Sequence, residues 1–173
     1  MAYDPVAKTL HWLVVTLLVL QFPLAWTMPH IPGGQMPESL VRLHLSLGIT
    51  ILAIMLLRLA WRLTHPAPPL PDGVPSWQQF ASRVVHSALY ALLIATPLAG
   101  WVWASAQGWP IIVFGVVHLP RLVAAGSSLR PLAAAAHQYL AWAVLMLVGL
   151  HVLAALYHHF VLHDDVVGRM LPR

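Results

Sequence analysis

LAAAAHQYLAWAVLMLVGLHVLAALYHHFVL, residues 132–162, is the stretch that decides the fold class. It carries no Asp, Glu, Lys or Arg and is long enough to cross a hydrocarbon core of about 30 Å as a helix. Four histidines fall in it, two of them, His137 and His151, within its apolar body. His137 and His151 stand fourteen residues apart, close to four turns and about 21 Å of rise, so both rings project from one face at different depths. A polar ring in lipid is costly unless it is paired or liganded, which makes this helix a functional element as well as a structural one.

Three further segments, residues 10–28, 40–63 and 84–106, are long and apolar enough to span. The reading is an all-α transmembrane four-helix bundle, a single domain over residues 1–173. An even number of spans puts both termini on one side. Between the second and third spans, residues 64–79 contain Pro66, Pro68, Pro69, Pro71, Asp72, Gly73 and Pro75 and read as a stiff extended connector without helix. Residues 109–120 are apolar but too few to cross, so they should lie at the interface and cap one end of the bundle. Pro97 falls inside the third span, where a kink is tolerated if neighbours satisfy the freed carbonyl. The N-terminal run carries His11 and Trp12 and lacks a clear small-residue cleavage site, so it reads as a retained span and not a signal peptide.

Basic residues orient the bundle. Lys8, Arg58, Arg62, Arg83, Arg169 and Arg173 lie on the side of the termini, against Arg42, Arg121 and Arg130 opposite. That excess places both termini in the cytoplasm of a multi-pass protein of the bacterial inner membrane. Trp12, Trp26, Trp61, Trp101, Trp103 and Trp109 fall near span ends, as aromatic belts do.

Composition narrows the function. Of 173 residues, 60% are hydrophobic and only 8% charged, well below the quarter or so of a soluble domain. A net charge of +4 does not imply nucleic acid, because the nine basic residues are scattered among apolar runs instead of gathered on a face. With no cysteine, disulfides, thiolate metal sites, iron–sulfur clusters and covalently attached haem are all excluded. Any redox cofactor must be held noncovalently, and eleven histidines are present to hold one.

Two rings on one helix at two depths fit two stacked sites between facing helices. A haem gripped by two histidines needs a partner ring at each level. His44 opens the second span on the outer side, level with His137. His11 begins the first span on the inner side, level with His151, and His86 on the third span competes for that role. Gly48 after His44, Ala141 after His137, and Ala154 and Ala155 after His151 leave room for a flat macrocycle. Against this stands the plainer reading that intramembrane histidines bridge helices by hydrogen bonds; four at two matched depths weigh against it. His158 and His159 end the fourth span beside Asp164 and Asp165 and read as interfacial. His30, His65, His118 and His163 lie in or beside loops and read as solvated. Met28, Met55 and Met146 read as packing and not axial ligands.

The sequence Tyr3-Asp4-Pro5 leading into Leu10-His11-Trp12, then Arg42-Leu43-His44 with Gly48, Arg58 to Arg62, His65-Pro66 and the proline loop, with His137, His151 and Tyr157-His158-His159, resembles the bacterial cytochrome b561 family. The likeness covers nearly the whole chain. It implies two noncovalent b-type haems with His11, His44, His137 and His151 as iron ligands, and Gly48 and Arg58 among the cofactor-binding residues. His86 would then be a non-ligand near the inner haem. The short termini and loops look like a stand-alone cytochrome, a group whose members include a superoxide oxidase that delivers electrons to ubiquinone, and the resemblance leaves that activity open here.

The expected function is electron transfer across the membrane to or from quinone, with ubiquinone as an exchangeable substrate and lipid as the surrounding partner. Arg42, Arg121 and Arg130 would attract an anionic donor such as superoxide at the outer end, or else pair with propionates or lipid phosphates. His86 and His158 are the candidate catalytic residues, shuttling the protons that quinone reduction needs; the alternative for each is a hydrogen bond to a propionate or a backbone carbonyl. Two rivals differ in class. One is a cytochrome subunit passing electrons from a hydrogenase or dehydrogenase partner. The other is a histidine-lined metal transporter, disfavoured because Asp4, Glu38, Asp72, Asp164 and Asp165 all lie outside the spans.

Overall fold

A computed structural model describes residues 3–29, 37, 39–66, 68 and 74–171. His30, Glu38, Pro69, Pro71, Asp72, Gly73 and Arg173, all given roles above, lie outside the described residues.

Four long helices follow one another: α1 Pro5–Thr27, α2 Ser39–Thr64, α3 Ser76–Ala106 and α4 Arg130–Tyr157, the last running on as a π-helical turn, His158–Leu162. All four are long and apolar enough to cross a membrane, α4 counted together with its terminal turn. Their surfaces are studded with large apolar side chains, among them Leu132, Met146 and Leu153, as lipid-facing helices require. The interior is thin. One core cluster unites Val14 of α1, Ile51 and Met55 of α2, Leu93 of α3 and Val144 of α4 midway along the bundle, between the two histidine levels of α4. Met55 is thus packing, as expected, whereas Met146 faces outward.

Local chemistry sets the helix ends. Asp4 caps α1: its Oδ1 accepts the Ala7 N–H at 2.9 Å and, from α2, the Trp61 Nε1–H at 3.1 Å. Those donors, the Ala7 amide first, hold the Asp4 carboxyl below its ordinary value. Pro5 follows at the first helical position, where its missing N–H costs nothing. Pro23 and Pro97 both sit inside helices that continue past them.

The connector expectation needs correction at both ends. Thr64 closes α2, and α3 begins at Ser76, eight residues before the apolar span at Val84. Pro75 is the reason: it sits at the N-cap, and its carbonyl accepts the amides of Gln78 and Gln79. A proline that breaks a helix from within starts one from its end.

Residues 109–120 do cap one end, as a β-hairpin. β1 Ile111–Val113 pairs antiparallel with β2 Val117–Leu119 in the register Ile111↔Leu119, Ile112↔His118 and Val113↔Val117. Trp109 and Ile111 are buried with Val41 of α2 and Ala104 of α3. Trp109 therefore belongs to a small second core and not to an aromatic belt. Ser46 ties the hairpin down. Its hydroxyl donates to the Arg42 carbonyl and accepts the Phe114 N–H, both at 2.9 Å.

At the opposite end the chain closes on itself. Trp12 Nε1–H donates to the Met170 carbonyl at 2.9 Å, and the Tyr3 amide donates to the Arg169 carbonyl at 3.3 Å. Tyr3 and Trp12 thus meet Arg169 and Met170 at one rim of the bundle.

Candidate functional site

The helices bring histidines together at two levels. Near the hairpin end, the His44 ring of α2 and the His137 ring of α4 have centroids 6.1 Å apart at 88°. Near the rim shared by the termini, His11 of α1 and His151 of α4 are 6.4 Å apart at 75°. His86 of α3 also stands beside His151, with centroids 5.1 Å apart. Each level thus draws one ring from α4 and one from a facing helix.

Fit to an iron-centred macrocycle is a matter of spacing and of unsatisfied nitrogen. A metal bound end-on by two imidazoles at about 2 Å each separates the ring centres by about 6 Å. The His44–His137 and His11–His151 spacings match; the His86–His151 spacing is too short. Nδ1 of His11 and Nδ1 of His44 are buried without a hydrogen-bond partner, as is Oε1 of Gln21 beside His44. Buried polar atoms left bare cost about 1–3 kcal/mol each, so each couple keeps one ring that the polypeptide does not fully satisfy. The chain fits the group.

The outer level is built with narrow tolerance. His137 Nδ1 lies 2.8 Å from the Thr96 carbonyl. A carbonyl only accepts, so Nδ1 carries the proton and Nε2 keeps its lone pair for a ligand, the orienting arrangement metal-binding histidines use. The ring lies against α3 at Gly100, where an added Cβ would stand 2.9 Å from His137 Cε1 and Nδ1. Trp103 flanks the same ring at 6.2 Å. Gln21 Nε2 donates to the His44 carbonyl at 3.1 Å and lies 3.4 Å from His44 Nε2. Sequence reasoning missed Gln21, Thr96 and Gly100. A glycine and a glutamine inside apolar spans were the available signals. Gly48, by contrast, would accept a Cβ at ordinary contact distance, 3.5 Å from Gln21 Nε2, so the close backbone approach falls at Gly100 instead.

The inner level is richer in polar groups. His86 Nδ1–H donates to the Ser82 carbonyl at 2.6 Å, leaving its Nε2 available. Arg58 of α2 is half-buried, its guanidinium carbon 5.3 Å from the Tyr90 ring centre. His158 is not simply interfacial: its Nδ1 meets Asp164 Oδ2 at 2.5 Å, and Asp164 Oδ1 accepts the Val166 amide at 3.1 Å. The remaining described loop histidines, His65, His118 and His163, are exposed as expected, His65 with its ring stacked on Trp61 at 3.8 Å. At the outer end Arg42, Arg121 and Arg130 are exposed, and Arg121 Nη2 donates to the Gly108 carbonyl at 2.8 Å.

Residues 2–173 match the profile of prokaryotic cytochrome b561. The chain belongs to the prokaryotic cytochrome b561 family. Cytochrome b561 homolog 2 of Escherichia coli K12 is 36% identical over 177 residues, covering 99% of this chain and 92% of that protein. The probable superoxide oxidase CybB of Yersinia pestis is 33% identical over 168 residues, 95% of this chain and 92% of its own length. Cytochrome b562 of Cereibacter sphaeroides is 25% identical across 99% of this chain and 96% of its own. The chain is therefore a multi-pass membrane cytochrome of the b561 family, and b-type haem is the cofactor the family implies.

Proposed function

We propose that this b561-family cytochrome holds two b-type haems as a single domain, residues 1–173, in the bacterial inner membrane. His44 and His137 would ligate the outer one, His11 and His151 the inner. The observation that carries the reading is the pair of imidazole couples, 6.1 and 6.4 Å between ring centres, stationed at two depths along α4. Bound haem supplies one-electron iron chemistry. The protein's own part is to fix the rings: the Thr96 carbonyl sets the His137 tautomer, and Gly100 lets the ring reach it.

Electrons would pass between a donor at the hairpin end and ubiquinone near the rim of the termini, the side that the excess of basic residues favours as cytoplasmic. Quinone reduction takes protons as well as electrons. His86 is suited to supply them, because its Nδ1 is committed to the Ser82 carbonyl while Nε2 is open to exchange. His158, oriented by Asp164, is a second such group at the same rim. Its Nδ1 bond to a carboxylate fixes the ring as an acid or base requires.

The named relative in Yersinia pestis favours superoxide as the donor, and Arg42 and Arg130 would raise the encounter rate of an anion at the outer end. Arg121 is partly spent on the Gly108 carbonyl and contributes less. A reduced-minus-oxidised spectrum with haem quantified per chain tests the class: two noncovalent haems are expected, one lost with His137→Ala. A colourless protein from porphyrin-fed cells would end the reading. Superoxide-driven ubiquinone reduction in detergent then tests the donor, and co-purification with an iron–sulfur protein would point to a docked redox partner instead.

A further inference from the structure

The two histidine levels sit in different electrostatic surroundings. At the inner level the Arg58 guanidinium lies over the Tyr90 ring, 5.3 Å from its centre. Tyr90 stands one helical turn from His86, whose ring is 5.1 Å from that of His151, and the same cation acts electrostatically on His11, His86 and His151. Among the described residues the ion pairs are His158–Asp164 and Arg169–Asp165, so no carboxylate neutralises Arg58. Its described company is the Tyr90 face and, more distantly, Tyr3 and Arg62. At the outer level Arg42, Arg121 and Arg130 are exposed, where water and salt screen them, and Arg121 is bonded to the Gly108 carbonyl.

A second asymmetry runs the same way. His137 gives its Nδ1 proton to a carbonyl, which makes the ring a stronger electron donor. Among the described residues His151, its counterpart on α4, makes no such bond, while Nδ1 of His11 and of His44 are alike without an acceptor.

We infer that Arg58 makes the inner level the higher-potential one, so that an electron delivered at the hairpin end comes to rest at the rim of the termini. The inference rests on the two-haem reading above. A ferric centre carries one more positive charge than a ferrous one, so a nearby fixed cation disfavours the oxidised form. Screening by salt is weak where the charge is partly buried. Pairing Arg58 with a propionate would reduce the effect without changing its sign. The equilibrium moves a single electron: the outer iron goes from ferrous to ferric, the inner from ferric to ferrous, with no bond made or broken. A one-electron reductant at the outer end supplies it, and a quinone taking two electrons and two protons drains it over two turnovers.

Redox titration of the purified holoprotein, followed by absorbance without substrate, provides the test. Two waves are expected. Arg58→Gln should lower the upper wave by at least tenfold in its reduction equilibrium, about 59 mV for one electron, with the lower wave unmoved. Arg58→Lys should restore it. His44→Ala, which removes an outer ligand, should leave the upper wave standing. The inference is overturned if Arg58→Gln shifts the lower wave or neither, or if His44→Ala leaves the lower wave. Should Arg58→Gln fail to assemble, the His44→Ala titration decides alone. A wild-type protein with one haem per chain would instead remove the two-level reading itself, so the two failures are distinguishable.

Discussion

Replacing Gly100 by alanine should dislodge one cofactor while sparing the fold. The new Cβ would stand 2.9 Å from Cε1 and Nδ1 of His137 and 3.6 Å from Cγ, whereas ordinary contact begins at 3.4 Å, so the ring must retreat by about 0.5 Å. That retreat stretches the 2.8 Å bond to the Thr96 carbonyl toward the edge of useful geometry. Losing it costs about 1 kcal/mol, and overpacking of this kind costs about 1–3 kcal/mol. Alanine returns up to about 1 kcal/mol of helix propensity to α3. The balance, roughly 1–3 kcal/mol against the placed ring, weakens haem retention about 10- to 100-fold at the outer level. Haem per chain and the amplitude of the reduced spectrum report it directly. Gly149→Ala is the control, because its Cβ would meet nothing within 4 Å. A Gly100→Ala protein that keeps two haems and an unaltered spectrum would refute the claim that the outer ring is positioned by close contact with α3.

Other outcomes follow from single side chains. His86→Ala should leave both haems bound while slowing quinone reduction in a steady-state assay; loss of the inner haem's spectrum would make it a ligand. Ser46→Ala strips the Phe114 N–H of its acceptor and should cost about 1–3 kcal/mol, read as a lowered thermal midpoint. Asp4→Ala removes the α1 cap and should cost about 1 kcal/mol. Since the folded Asp4 carboxyl titrates below its unfolded value of 3.8, that contribution is present above the unfolded value and is lost as pH falls through the lower folded one. A melt series from pH 6 to pH 3 should therefore show the wild-type and Asp4→Ala midpoints converging at the acid end. Trp12→Phe should speed carboxypeptidase trimming of the C-terminus, because it deletes the bond to the Met170 carbonyl.

The bundle was legible because lipid imposes a length and an apolarity that a chain cannot disguise; residues 132–162 alone carried the class. Depth also matched His44 with His137, since a helix advances a fixed distance per residue, but at the other level it left His11 and His86 open beside His151, and both rings stand near it. Two things were hidden. Periodicity and composition do not register that a proline can cap a helix it would break, and so the start of α3 was placed eight residues late. Nor does a sequence show which backbone atoms lie opposite a side chain. The Thr96 carbonyl and the bare Cα of Gly100 became visible only when α3 and α4 were set side by side. The bond between His158 and Asp164 was hidden for the same reason, because it is closed by a turn of chain with His163 in the left-handed conformation, φ 51°.

Because α4 carries one ring of each couple, the two centres share a single ruler. Inserting one residue between His137 and His151 would turn one ring by about 100° and slide it about 1.5 Å relative to the other. Substitutions at exposed positions between the two rings, such as Tyr139, Trp142 and Met146, can be absorbed by the lipid-facing surface, but changes of length cannot. In a library of variants sorted by colour, deletions and insertions between the two rings should bleach the cells where point changes at those exposed positions do not.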